Sequence, residues 1–126
     1  MHKKLNTSKA PGALGPYSQA VEIDNLVYTS GQLGICPETG NLGDGVKEQT
    51  KLALENVKAI LAEAGLGMDS IIKTLVFIQD MNDFAAVNEV YAEYINGPVL
   101  PARSCVEVAK LPKGGLVEIE VIALKK

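Results

Sequence analysis

The sequence predicts an α+β fold, a mixed sheet of five to six strands with two helices on one face. Three observations predict it. Strand-type runs crowd both ends of the chain, two central stretches carry apolar residues at helical spacing, and residues 71–79 between them are β-branched and apolar without a break. With 126 residues, 47% hydrophobic and 21% charged, the chain is long enough to bury its own core and reads as a single domain over 1–126.

After the Pro/Gly-rich opening 10–16, residues 17–23 and 26–31 are β-type runs joined by Asp24-Asn25, a tight hairpin. Residues 32–36 continue or pair as a further strand before Pro37 to Asn41 and Gly43-Asp44-Gly45 break the chain. From 46 to 64, Val46, Ala53, Leu54, Val57, Ile60, Leu61 and Ala64 recur at three and four, with Asp44 near the start and Gly65 just past the end. This is an amphipathic helix. The apolar run 71–79 suits a central strand covered on both faces. Asn82 caps a second helix over 83–95, whose stripe is Phe84, Val87, Val90, Tyr91 and Tyr94, and Asn96-Gly97-Pro98 stops it. Two last strands, 102–109 and 117–124, flank the turn 110–115 and are expected as an antiparallel pair or neighbours.

Two helices cover one face of such a sheet, so the other face needs a cover. On the strand 102–109, alternation separates Ser104, Val106 and Val108, taken as the core face, from Arg103, Cys105 and Glu107. On 117–124, Val117, Ile119, Val121 and Ala123 form the core face, opposite Glu118, Glu120, Ile122 and Leu124. Carboxylates mixed with Ile, Leu and Cys predict a homo-oligomeric interface carrying a polar pocket.

Composition removes several classes of chemistry. Net charge is −3 with no basic stripe, which argues against nucleic acid as a partner. No apolar stretch reaches membrane-spanning length and the start of the sequence has no signal-peptide core, so the expected setting is cytoplasmic, away from membranes. Cys36 and Cys105 lack metal-site spacing and read as two free thiols. His2 is the only histidine, which excludes histidine triads and histidine metal clusters.

Arg103 is the only arginine beside eleven lysines. Its planar fork suits a bidentate carboxylate or phosphate clamp, yet residue type alone favours an intersubunit salt bridge to Glu107, Glu118 or Glu120. Glu118 and Glu120 share a strand face, so crowding would raise one toward a general acid or base, although solvated strand carboxylates are commoner. Cys105 has no histidine to activate it and reads as a compact buried thiol. Thr29-Ser30-Gly31-Gln32 offers donors for an oxyanion, or a hydroxyl that bonds a turn. Tyr17 follows the rigid Gly15-Pro16 and is a site donor or a packed aromatic. The Gly-rich run 40–45 matches no nucleotide motif and reads as a loop and helix cap.

Pro101-Ala102-Arg103-Ser104-Cys105-Val106-Glu107-Val108-Ala109-Lys110-Leu111-Pro112, followed by Val117-Glu118-Ile119-Glu120, closely resembles the signature of the YjgF/Rid proteins, the reactive-intermediate deaminases. Gly15-Pro16-Tyr17-Ser18-Gln19-Ala20, Ser30-Gly31-Gln32, Asn56-Val57, Lys73-Thr74, Asn82-Asp83-Phe84 and Val87-Asn88 follow in that family's order. The resemblance spans nearly the whole chain. Both the arginine and the later glutamate are present, which makes it similar to the RidA branch.

The resemblance implies a single RidA-like domain with a chorismate-mutase-like fold, assembled as a homotrimer with sites in the clefts between subunits. It implies cofactor-free and metal-free hydrolysis of 2-aminoacrylate, 2-iminopropanoate and similar enamines or imines, released by pyridoxal-phosphate dehydratases, to 2-oxoacids and ammonia. Arg103 would grip the substrate carboxylate, in place of a salt bridge, and Glu118 would activate the water. Cys105 would line the site through its backbone, and Tyr17, Ser30, Gly31 and Asn88 would complete the pocket, some from the neighbouring subunit. The link 95–100 is shorter than its counterpart in familiar members and borders the expected cleft, which bears on substrate size. Related trimers are also described as binding small carboxylates, so a 2-oxoacid-binding or regulatory module is the alternative. A ribonuclease reading finds no basic-aromatic stripe to support it.

Overall fold

The computed structural model describes residues 1–125, which build a seven-stranded mixed sheet with both helices on one face. The elements are β1 (Lys3–Leu5), β2 (Ala20–Ile23), β3 (Leu26–Thr29), β4 (Gln32–Leu33), α1 (Gly45–Glu63), β5 (Ile71–Ile78), α2 (Phe84–Tyr94), β6 (Ala102–Glu107) and β7 (Val117–Leu124). The strand order is β1-β2-β3-β7-β5-β6, with β4 also paired to β7. The α+β class holds, but the strands number seven because the short, polar β1 pairs with β2 through Lys3↔Glu22 to Leu5↔Ala20. Its three residues carry no alternation that marks a strand.

The hairpin between β2 and β3 turns at Asp24, φ 50. α1 buries Ala53, Leu54, Val57, Ile60 and Leu61 in full, the face its spacing predicts. It ends in a Schellman arrangement: Gly65 N donates to Ala62 O and Leu66 N to Leu61 O, with Gly65 at φ 75. The start of α2 differs from expectation. A 3-10 turn, Met81–Asp83, precedes it, and the side chain that caps this turn is Asp80, accepting from Asn82 N at 2.9 Å. Asn82 therefore sits inside the turn, and Asp83 takes the cap position of α2.

β5 lies between β7 and β6, antiparallel to the first and, after the α2 crossover, parallel to the second, so the last two strands, expected as a pair or neighbours, are separated by it. Thr74, Val76 and Ile78 are buried beneath the helices, whereas Leu75 and Phe77 on the other face are only half-buried. The second cover expected for this strand is thus absent within one chain. The open face carries Tyr28, Ile122, Leu75, Phe77, Val106, Glu118 and Glu120, with Tyr28 44% and Val106 46% exposed. A small apolar cluster of Leu33, Ile35 and Leu111, with Leu42, Phe77 and Val108 packed on it, backs one end. Among the described residues no helix is long and apolar enough to cross a membrane.

Candidate active site

The sheet divides the candidate residues into two groups. On the open side, Glu118 of β7 borders a cavity of about 310 Å3 with Tyr17, Gln19, Gly31, Gln32 and Leu33. Antiparallel pairing sets Leu33 opposite Glu118 and brings Gly31 under its side chain. Burial, with a smaller contribution from the charge of Glu120, pushes the Glu118 carboxyl above the usual glutamate range. Tyr17 stands at the rim, 48% exposed, and its hydroxyl accepts from Leu14 N at 3.0 Å, which leaves its proton free to donate. Ser30 lies next to Gly31, and its hydroxyl donates to Ser18 O at 2.7 Å. Of its two sequence readings, this is the backbone bond.

Arg103 occupies the helix side. Across the parallel β5/β6 ladder it pairs with Thr74, and Cys105 with Val76, so both point to the face that α2 covers. Nη1 of Arg103 donates to Asn88 Oδ1 at 2.8 Å. The guanidinium carbon lies 4.8 Å from the Tyr91 ring centre and 5.6 Å from that of Phe84. The Tyr91 hydroxyl is in turn hydrogen-bonded to Thr74 Oγ1 at 2.9 Å. Among the described residues Arg103 forms no ion pair. Beside it opens a second cavity of about 370 Å3, bordered by Asn88, Tyr91, Ala92, Ile95, Leu100, Pro101 and Arg103, so both ends of the 95–100 link reach it.

This placement corrects the expected face of β6. Ser104 and Val106 are exposed, as are Ala102 and Glu107 at the strand ends, and Arg103 and Cys105 are half-buried. Alternation shows which residues share a face but not which face meets the helices; on an edge strand beside α2, an arginine stacked on aromatics packs there in place of valine. Cys105 packs against the main core, and its thiol is pushed up by burial, with the Arg103 charge pulling the other way. Burial thus disfavours its thiolate.

Arg103 and Glu118 are consequently apart in one chain. Pairing runs Glu118↔Phe77↔Val106, so two strand spacings and a three-residue offset put their backbones about 14 Å apart, on opposite faces. One small acid cannot reach both. Three residues that shape these sites escaped the sequence reading: Tyr91 and Phe84, seen only as an apolar stripe, and Gln19, seen only within a motif.

A family model described as Endoribonuclease L-PSP matches residues 7–125. The chain belongs to that family, the YjgF/Rid proteins. Among YjgF/Rid relatives, it is 48% identical over 128 residues to the 2-iminobutanoate/2-iminopropanoate deaminase of Salmonella typhimurium, covering 100% of both chains. It is 49% identical over 126 residues to the protein of the same name from Mus musculus, covering 99% of this chain and 93% of the mouse protein. The structure of E. coli TdcF with bound serine superposes with a TM-score of 0.95 at 50% identity, covering 98% of this chain and 99% of TdcF. These YjgF/Rid structures share the mixed α+β fold.

Proposed function

We propose that the chain is a hydrolytic deaminase of reactive enamine and imine intermediates, 2-aminoacrylate and 2-iminopropanoate among them, which forms 2-oxoacids and ammonia without a cofactor. Relatives near 50% identity bearing the deaminase name support this reading. The observation that carries it is Arg103, the only arginine, oriented by Asn88 and Tyr91 yet without a carboxylate partner among the described residues. A fork held in place before substrate arrives binds a carboxylate with little reorganisation.

The site is shared between chains. Arg103 of one subunit, with Asn88 and the backbone at Cys105, meets Glu118, Tyr17, Ser30 and Gly31 of a neighbour in a homotrimer. Two observations support sharing: the separation of Arg103 from Glu118 in one chain, and the partly apolar face that carries Glu118. Arg103 fixes the substrate carboxylate beside the electrophilic C=N carbon. The Glu118 carboxylate takes a proton from water as its oxygen bonds that carbon, the C=N electron pair goes to nitrogen, and Glu118 passes the proton to that nitrogen. When the resulting carbinolamine collapses, Glu118 takes the hydroxyl proton as the carbonyl of the 2-oxoacid forms and delivers it to the nitrogen as the C–N bond breaks and ammonia leaves. A carboxyl raised by burial is suited to holding and returning that proton.

The test is 2-oxoacid formation from enamine generated in situ by a serine or threonine dehydratase, with wild type, Arg103→Ala and Glu118→Ala compared. Acceleration by wild type alone is expected. A second reading, a small-carboxylate binder without turnover, draws on the serine bound in E. coli TdcF. It predicts 2-oxoacid binding by wild type with no acceleration, and light scattering that finds a monomer would remove the shared site from both readings.

A further inference from the structure

Gln19 is 4% exposed, and its side-chain amide is engaged entirely by the segment that precedes it. Oε1 accepts from Thr7 N at 2.6 Å, and Nε2 donates to the carbonyls of Thr7, Ala10 and Pro11 at 3.1, 3.3 and 2.8 Å. Its backbone extends the clamp, since Gln19 N donates to Asn6 Oδ1 at 3.3 Å and Gln19 O accepts from Ser30 N at 2.8 Å. One residue thus ties the segment 6–11 to the strand edge that carries Ser30 and Gly31.

The segment between β1 and β2 forms no helix or strand; beyond Ala10, which packs in the core, and Ser18, whose carbonyl accepts from Ser30 Oγ at 2.7 Å, Gln19 supplies its anchorage. It is also the outer wall of the Glu118 cavity, through Pro11, Gly12, Leu14 and Tyr17. Leu14 is 55% and Tyr17 48% exposed, so burial does not hold that wall in place. The Leu14 N to Tyr17 hydroxyl bond closes the wall on itself but does not fasten it to the sheet.

We propose that Gln19 is a positioning residue for this site, whose clamp keeps the wall against the Glu118 carboxylate and sets how much water reaches it. The proposal rests on the reading of Glu118 as the water-activating group. Loosening the wall admits solvent on the side now covered and relieves the burial that favours the protonated carboxyl. The titratable groups turned to this face are Glu120 on β7, Lys73 on β5, Tyr28 on β3 and Tyr17 on the wall; Lys113, beside the cavity residue Pro112, donates to Gly40 O at 3.1 Å. Of these only Tyr17 moves with the clamp. The contribution from the Glu120 charge therefore persists, and the burial contribution is what changes.

Gln19→Leu keeps the volume and removes the amide, and Thr7→Pro removes the N–H that Oε1 accepts at a position outside the core. In each variant the Glu118 carboxyl is titrated by carbon-13 NMR, assigned by its loss in Glu118→Gln, and kcat is followed against pH in the dehydratase-coupled assay. In both variants the titration midpoint and the acidic limb of kcat are expected to move toward the ordinary glutamate range. Plateau kcat is expected to fall about tenfold while KM stays within about threefold. Folded variants with a lower melting temperature but an unmoved midpoint and limb would make Gln19 merely structural and overturn the proposal; should Gln19→Leu not fold, Thr7→Pro decides alone. A midpoint that moves while Glu118→Gln turns over like wild type would keep the clamp and remove Glu118 as the base.

Discussion

The backbone of Gly31 passes so close to the Glu118 side chain that a Cβ there would stand 2.6 Å from Cδ and 2.7 Å from Oε1. Gly31 is needed here for close approach, since nothing larger leaves room for the carboxylate. In Gly31→Ala the flexible end of Glu118 must swing away while the fold remains. Turnover is expected to fall by about tenfold to 100-fold at nearly unchanged urea stability. Gly34→Ala is the contrast: its Cβ would run into the backbone of Gln49, which cannot swing, and about 1–3 kcal/mol or more of stability should be lost.

Arg103→Lys keeps the charge and loses both the fork and the flat stack on Tyr91. Pyruvate affinity, measured by calorimetry, is expected to fall about tenfold or more, and Tyr91→Phe, which keeps the ring, should cost less. Unchanged pyruvate binding by Arg103→Lys would show that a point charge suffices and that the fork is not the recognition element.

The raised carboxyl of Glu118 carries a stability consequence. The folded chain retains this proton at pH values where the unfolded chain has released it, so stability declines as pH rises from the ordinary glutamate range through the raised folded value and stays lowered above it. Glu118→Gln should therefore be more stable than wild type at neutral pH. The difference should vanish below about pH 4, where both states of wild type are protonated. Urea unfolding of the two proteins across this range checks the sign.

Asn56 of α1 is 1% exposed and donates through Nδ2 to Leu33 O at 3.2 Å and Ile35 O at 2.9 Å. It fastens the helix to the chain that forms the back of the Glu118 cavity. Asn56→Leu would leave the Ile35 carbonyl without its donor, while Leu33 O keeps Ile35 N at 2.8 Å, at a cost of about 1–3 kcal/mol read as a shift of the urea midpoint.

Cys105→Ser is expected to retain turnover within about threefold, because burial disfavours the thiolate that a nucleophile would need. A loss of 100-fold or more would return Cys105 to the chemistry.

Much of this architecture is legible in the sequence. The heptad-like recurrence from Val46 to Ala64 located α1 within a residue at each end, and the Asp24-Asn25 turn located the hairpin. What alternation cannot convey is which side of a sheet a set of residues meets. On β7 the clean run Val117, Ile119, Val121 and Ala123 identified the covered face, but on the edge strand β6 Val106, with Val108 just beyond its end, pointed to the wrong one. Arg103 stacks on Tyr91 and Phe84 instead, a contact made by residues from a helix 12 and 19 positions earlier that no local pattern encodes. The clamp at Gln19 is hidden for the same reason: its partners, Thr7 to Pro11, have no periodic structure, and a lone glutamine before a strand does not announce four hydrogen bonds.

The proposed site requires Arg103 of one subunit to work with Glu118 of another. Arg103→Ala and Glu118→Ala chains, each inactive alone, are unfolded together at equal amounts, refolded into mixed oligomers and assayed for 2-oxoacid formation. A cyclic trimer with random mixing regenerates about a quarter of its sites intact, and the same fraction of wild-type activity is expected. Mixed oligomers that form and remain inactive would contradict the shared site.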